Sequence, residues 1–310
     1  MDNLVLMFPG QGSQAVGMGC DLCAADSLMR DTYAEASAEL GYDLQALCAE
    51  GPTEKLARTD LTQPALLADS IGILRILRRE GLRFDAAFGH SLGEYSALVA
   101  TGAVAFRDAL LVVRRRGEEM LAAAAASPGG MIAILGLDDA TVEELCAGID
   151  GVWPANFNSP GQVVVSGREA ALAELAEKAK AAGARRVIPL AVSGAFHSPL
   201  LQPALAPLRA ALERADWTTP QPPFFSACSV SFESGGFVEL LQRQLVSPVR
   251  FSQSVSTLFA AGYDSFLEVG PGGVLGGLVR RIAPQATVAR VSDLESLAAL
   301  RDDGRYLEAS

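Results

Sequence analysis

Short runs of consecutive apolar residues, each closed by glycine, alternate along the chain with longer stretches of helical period. Residues 4–8 (Leu-Val-Leu-Met-Phe) stop at Pro9-Gly10-Gln11-Gly12-Ser13-Gln14, a pattern that predicts a buried strand feeding a tight glycine-rich turn. Helical stretches follow over 26–40, 53–58 and 63–80, the last ending at Gly81. Residues 86–88 read as a second buried strand that runs into Gly89-His90-Ser91-Leu92-Gly93-Glu94, with a helix after it to 101 and another over 106–126, arginine-rich at its middle. If the sheet is parallel, such turns border its ligand crevice.

From Gly129 the rhythm changes. A strand is expected over 130–137, a helix over 139–148, strands over 152–156 and 163–166, a helix over 169–182 ending at Gly183, and a strand over 185–192. That order, β-α-β-β-α-β, is the ferredoxin-like plan. Segments at 199–215, 224–229, 238–245, 252–261 and 265–269 resume the first rhythm, and the last runs into Gly270-Pro271-Gly272-Gly273 and a further helix. The expectation is an α/β protein whose parallel sheet is assembled from both ends of the chain, 1–126 and 193–310, with a small βαββαβ subdomain inserted at 127–192.

Composition narrows the function. With 310 residues, 50% hydrophobic and 20% charged, the chain is not of the disordered class and has the length of two domains. A net charge of −11 makes a generic nucleic-acid partner a poor first choice. Only His90 and His197 are present, so a multi-histidine metal site is excluded and no metal is expected. The cysteines, Cys20, Cys23, Cys48, Cys146 and Cys228, are odd in number and scattered, which fits a reducing compartment better than a disulfide framework. Cys20 and Cys23 have no second pair nearby and read as small side chains at a helix start. No basic residue precedes Arg30, so the charged region of a signal peptide is lacking, and a cytoplasmic location is expected. The uncharged stretch 120–137 is alanine-rich and broken by Ser127-Pro128-Gly129-Gly130, which argues for a helix end and a strand start rather than a membrane span.

Gly89-His90-Ser91-Leu92-Gly93 is a G-x-S-x-G between a predicted strand and a predicted helix, the setting of a nucleophile elbow. A serine there sits at a helix N-terminus, where free N–H groups favour an oxyanion. It needs a base, and the adjacent His90 is placed to line the turn, whereas His197 lies in the loop that returns the chain from the inserted segment. An acid that would complete a triad is not identifiable; a dyad with a neutral acceptor on the histidine is the simpler reading, sufficient for an activated ester or thioester. Arg114-Arg115-Arg116 lies mid-helix and points in three directions, so that one guanidinium can face the site and pair with a carboxylate.

Five segments carry a resemblance: Phe8-Pro9-Gly10-Gln11-Gly12-Ser13-Gln14, Gly89-His90-Ser91-Leu92-Gly93-Glu94-Tyr95, Asn156-Phe157-Asn158-Ser159-Pro160-Gly161-Gln162, Gly194-Ala195-Phe196-His197 and Glu268-Val269-Gly270-Pro271-Gly272. Together, and in this order, they resemble the malonyl-CoA:acyl carrier protein transacylase family. The resemblance implies an α/β-hydrolase-like core with a ferredoxin-like insertion. It implies Ser91 as nucleophile, His197 as base, the backbone N–H groups of Gln11 and Leu92 as oxyanion hole, and Arg116 as the holder of the malonyl carboxylate. It further places Asn158 and His90 at the substrate, gives Phe196 the bulk that disfavours a methyl branch, and assigns the orientation of His197 to a backbone carbonyl at Arg250. The implied substrates are malonyl-CoA and the phosphopantetheine arm of acyl carrier protein, with no permanently bound cofactor, no membrane partner and a monomeric state. Phe224-Phe225-Ser226-Ala227-Cys228-Ser229 departs from the asparagine-containing segment common in relatives, which leaves that wall of the cleft open. A serine hydrolase or thioesterase, an acyltransferase serving malonate decarboxylase or polyketide synthesis, and a non-catalytic binding module stand as alternatives.

Overall fold

A computed structural model describes residues 3–307. The larger sheet comprises β1 (Leu4–Phe8), β2 (Ala86–Gly89), β7 (Phe224–Ser226), β8 (Ser231–Glu233), β9 (Ser265–Val269) and β10 (Thr287–Val291), in the order β10-β9-β1-β2-β7-β8. Every pairing is parallel except that of β7 with β8. Both faces are covered, which explains the unbroken apolar run of β1: Leu4, Leu6 and Phe8 pack into one core, Val5 and Met7 into the other.

The second sheet, β3 (Gly130–Leu135), β4 (Val152–Ser159), β5 (Gln162–Gly167) and β6 (Arg186–Pro189), is antiparallel in the order β4-β5-β3-β6, the ferredoxin-like arrangement. Ile132, Ile134, Val163 and Val165 pack with the helices Asp139–Ala147 and Glu169–Ala181. Met131, Ala133, Ala155 and Val164, of opposite parity or beyond a bulge, join the main core instead. The Val249 N–H donates to the Ala155 carbonyl at 2.8 Å and the Phe157 N–H to the Val249 carbonyl at 2.9 Å, which ties β4 to the loop after the helix Phe237–Val246.

Several boundaries differ from expectation for local reasons. The helix expected at 63 begins at Thr59 and runs through Pro64. The expected helix over 199–215 splits into a 3₁₀ turn, Pro199–Ala204, which contains Pro203, and a helix, Leu205–Leu212. The strand from Gly130 stops at Leu135, because Gly136 turns the chain at φ +97°. The helix Leu44–Glu50, the strands β8 and β10, and the helix Leu294–Asp303 were not apparent from the pattern; β10 is an edge strand carrying an arginine, and the last helix is announced only by its Asp293–Ser296 capping box.

Candidate active site

β2 delivers Ser91 into a turn so tight that its flanking residues must be glycine. A Cβ on Gly89 would lie 2.0 Å from the Gly93 carbonyl carbon, and one on Gly93 would lie 2.0 Å from the Phe8 carbonyl oxygen. Ser91 itself has φ +53°, a left-handed conformation costly for a residue with a side chain, and the helix Gly93–Ala100 begins two residues later. The Ser91 hydroxyl is 2.7 Å from His197 Nε2. His197 Nδ1 lies 3.0 Å from the Gln244 carbonyl and 3.1 Å from that of Ser247; it therefore carries the proton, and Nε2 is the acceptor of the serine hydroxyl. Burial, and secondarily the Arg116 charge, push the imidazole pKa down to about 3, so the ring is neutral at pH 7.

Arg116 is 1% exposed. It shares the buried face of the helix Phe106–Ala126 with Val112, Val113, Gly117 and Met120, whereas Arg114 and Arg115 pair outward with Glu118 and Glu119. Its Nη1 donates to Gln63 Oε1 at 2.8 Å, and its Nη2 to Ser91 Oγ at 3.1 Å and Gln244 Oε1 at 3.2 Å, while Nε has no partner. Among the described residues no carboxylate forms an ion pair with it, and burial lowers its pKa.

Gln11, His90, Ser91, Leu92, Arg116, Met120, Met131, Asn156, Leu190, Val192, Phe196 and His197 enclose a cavity of about 110 Å³. Its size suits a small acyl group rather than a long chain. Gln11 is anchored by its Nε2 on Thr59 Oγ1 at 3.1 Å. Among the described residues the N–H groups of Gln11 and Leu92 find no acceptor.

Two expectations need correction. The carbonyls that orient His197 are those of Gln244 and Ser247, and the Arg250 carbonyl instead receives the Ser254 N–H at 2.9 Å and hydroxyl at 2.8 Å at the start of the helix Phe251–Ala260. Asn158 does not line the cavity; its Oδ1 holds His90 Nε2 at 2.9 Å, and Asn156 lines the wall in its place. Ser226 and Ala227 also lie away from the cavity, where they bind the buried Glu94 carboxylate at 2.9 and 2.6 Å.

Gln63, Glu94, Gln244 and Ser247 were not singled out from the sequence. A signal existed for Gln244, a polar residue on the apolar face formed by Phe237, Leu240, Leu241 and Leu245.

An acyl transferase domain family model matches residues 5–308. The chain belongs to this family. The malonyl CoA-acyl carrier protein transacylase of Escherichia coli K12 is 43% identical over 305 residues, 96% of this chain and 99% of the relative. An acyl carrier protein S-malonyltransferase from Vibrio cholerae superposes with a TM-score of 0.93 at 43% identity, over 96% of this chain and 99% of that one. A malonyl-transacylase solved in complex with its type II PKS acyl-carrier protein superposes with a TM-score of 0.93 at 41% identity, over 97% of this chain and 99% of that one. The protein is thus an acyltransferase, and in the cavity around Ser91 a serine hydroxyl, a neutral imidazole and a buried guanidinium converge.

Proposed function

We propose that the enzyme moves a malonyl group from malonyl-CoA to the phosphopantetheine thiol of an acyl carrier protein, through a malonyl-Ser91 intermediate and by ping-pong kinetics. The observation that carries this reading is Arg116: a buried guanidinium on Ser91 Oγ with a free Nε and no carboxylate of its own. A buried cation without a partner is costly, and a substrate carboxylate supplies one.

Malonyl-CoA places its carboxylate on Arg116 and its thioester carbon at Ser91 Oγ. His197 Nε2 takes the hydroxyl proton as the C–O bond forms, and the Gln11 and Leu92 N–H groups receive the oxyanion. Collapse expels CoA as its thiol, protonated by the imidazolium, and leaves malonyl-Ser91. The carrier thiol then gives its proton to His197 and attacks the ester; the bond from the acyl carbon to Ser91 Oγ breaks, the imidazolium returns the proton to Oγ, and the malonylated carrier is released with the enzyme restored. The two carbonyls on Nδ1 keep the correct tautomer throughout. Phe196, buried at the cavity wall, limits room beside the acyl α-carbon.

Intact-mass measurement after incubation with malonyl-CoA tests the intermediate: one malonyl adduct is expected, absent in Ser91→Ala. An equal adduct on that variant refutes the role of Ser91. Removing one partner of a buried charge pair costs about 2–5 kcal/mol, so Arg116→Ala lowers kcat/KM for malonyl-CoA by roughly 30- to 5,000-fold. The loss with acetyl-CoA is much smaller; equal losses remove the carboxylate role. Fast malonyl-CoA hydrolysis without carrier protein would instead favour a thioesterase.

A further inference from the structure

Two opposite charges, Arg116 and Glu94, are 1% and 0% exposed behind Ser91, yet no ion pair joins them. The amide of Gln244 stands between. Its Oε1 accepts from Arg116 Nη2 at 3.2 Å, and its Nε2 donates to Glu94 Oε2 and to the Ser91 carbonyl, each at 2.8 Å. Both N–H bonds are used and the oxygen faces the cation. A flipped amide would aim its oxygen at a carboxylate and a carbonyl and its N–H groups at a guanidinium, so the orientation is fixed. Glu94 is held from its far side as well, where Oε1 accepts from Ser226 Oγ at 2.9 Å and the Ala227 N–H at 2.6 Å. All of these hydrogen bonds are donated to the carboxylate.

A direct contact between Glu94 and Arg116 would satisfy both buried charges, and an incoming substrate carboxylate would have to displace Glu94 from the guanidinium. We propose that Gln244 is a specificity-determining positioning residue: its side-chain amide is a spacer that keeps Glu94 from capturing Arg116, so that the guanidinium stays open to the substrate carboxylate. This role belongs to the side chain and is separate from that of the Gln244 carbonyl, which holds His197. It rests on the reading of Arg116 as the carboxylate holder. The amide also lets Glu94 polarise the Gln244 oxygen toward Arg116, so the cation is steadied without being occupied.

The test is the ratio of kcat/KM for malonyl-CoA to that for acetyl-CoA in forming acyl-Ser91. Gln244→Met deletes the amide while retaining chain length and the main-chain carbonyl. The expected result is a fall in the ratio of at least tenfold, as Glu94 closes on Arg116. Adding Glu94→Gln to that variant removes the competing carboxylate and is expected to restore the ratio to within threefold of the parent, an outcome that general damage to packing would not give. Gln244→Glu, isosteric and with a carboxylate placed directly on Arg116, gives the same fall and serves where the methionine variant does not fold. An unchanged ratio in either Gln244 variant, or a fall in Gln244→Met that Glu94→Gln does not rescue, overturns the spacer. Arg116→Ala is measured beside them. If it lowers the ratio and the Gln244 variants do not, the spacer alone is wrong; if it leaves the ratio unchanged, the reading of Arg116 falls and the spacer with it.

Discussion

Two glycines in helices give opposite answers to the same substitution. Gly93 opens the helix after Ser91, and an added Cβ would sit 2.0 Å from the Phe8 carbonyl oxygen, 2.7 Å from its carbon and 3.1 Å from the Pro9 oxygen. Contacts under 3.0 Å are essentially never seen, so strand end and helix start must part by about 1 Å. Both neighbours are backbone and cannot rotate aside. Overpacking of this kind costs roughly 1–3 kcal/mol. At about 2–4 °C per kcal/mol, Gly93→Ala should melt roughly 2–12 °C below the parent. The same displacement moves Gln11 relative to Leu92, and a 1 Å misplacement at a reacting centre costs on the order of a hundredfold in rate. Gly277, exposed in the helix Val274–Ile282 with nothing within 4 Å of its added Cβ, is the control: Gly277→Ala should gain about 0.5–1 kcal/mol, as alanine is the better helix former. Thermal melts followed by circular dichroism and single-turnover acylation with malonyl-CoA measure both. If Gly93→Ala melts with the parent and acylates at the parental rate, the close approach is not what shapes the site.

His197 should act as a base well into acid: with its pKa pushed down to about 3, the acid limb of malonyl-Ser91 formation lies below the ~6.5 of a free imidazole, and a limb centred at or above that value contradicts its burial. Stability carries two opposed signatures. The unfolded chain binds a proton at His197 that the native state refuses, so this site's contribution is full above pH ~6.5 and is lost toward 3; Glu94, pushed up to about 7 by burial, contributes below about 4.5 and loses that contribution as pH rises through 7. Urea midpoints across that range should therefore change slope in opposite senses in His197→Gln and Glu94→Gln, and parallel curves would refute both assignments. For docking, Arg185, just before β6, and Arg281, on the helix Val274–Ile282, reach one edge, since Gly136 abuts Arg185, its N–H meets the Gly161 carbonyl at 2.9 Å, and Arg281 holds Gln162 Oε1 at 3.0 Å. Reversing both to glutamate should raise KM for an acidic carrier protein roughly fivefold or more at low salt and spare acylation by malonyl-CoA; an unchanged KM places the dock elsewhere.

What the sequence made legible follows the range of the interactions involved. The elbow is local: Gly89 and Gly93 meet each other and Phe8, so the motif and its flanking strand and helix suffice to read it. From the residues alone Arg116 was one of three candidates, and the resemblance chose among them; the helix phase shared with Val113, Gly117 and Met120 is what turns it inward. Arg250 and Asn158 show the limit of a resemblance, which gives a neighbourhood and not a register. The loop from Ser247 to Arg250 is pinned by Val249 on β4, a contact between segments about 90 residues apart, and that pairing presents the Ser247 carbonyl to His197 while Arg250 begins the next helix.

The absent acid has the same physical root as the Gln244 amide. In a serine triad a carboxylate orients the histidine and stabilises the imidazolium, and here that carboxylate would lie within reach of the Arg116 charge that already depresses His197. Carbonyls from Gln244 and Ser247 orient the ring equally well and carry no net charge. Gln63 and Gln244 do the same for the guanidinium, holding Nη1 and Nη2 through neutral oxygens. Among the described residues every hydrogen bond that positions the imidazole or the guanidinium is thus uncharged, and the nearby Glu94 carboxylate is kept an amide away. Under the proposed function this neutrality is what leaves a cation beside Ser91 for a substrate that brings its own carboxylate. The weaker support for the imidazolium is tolerable because a thioester is already activated, whereas an amide substrate would demand the acid.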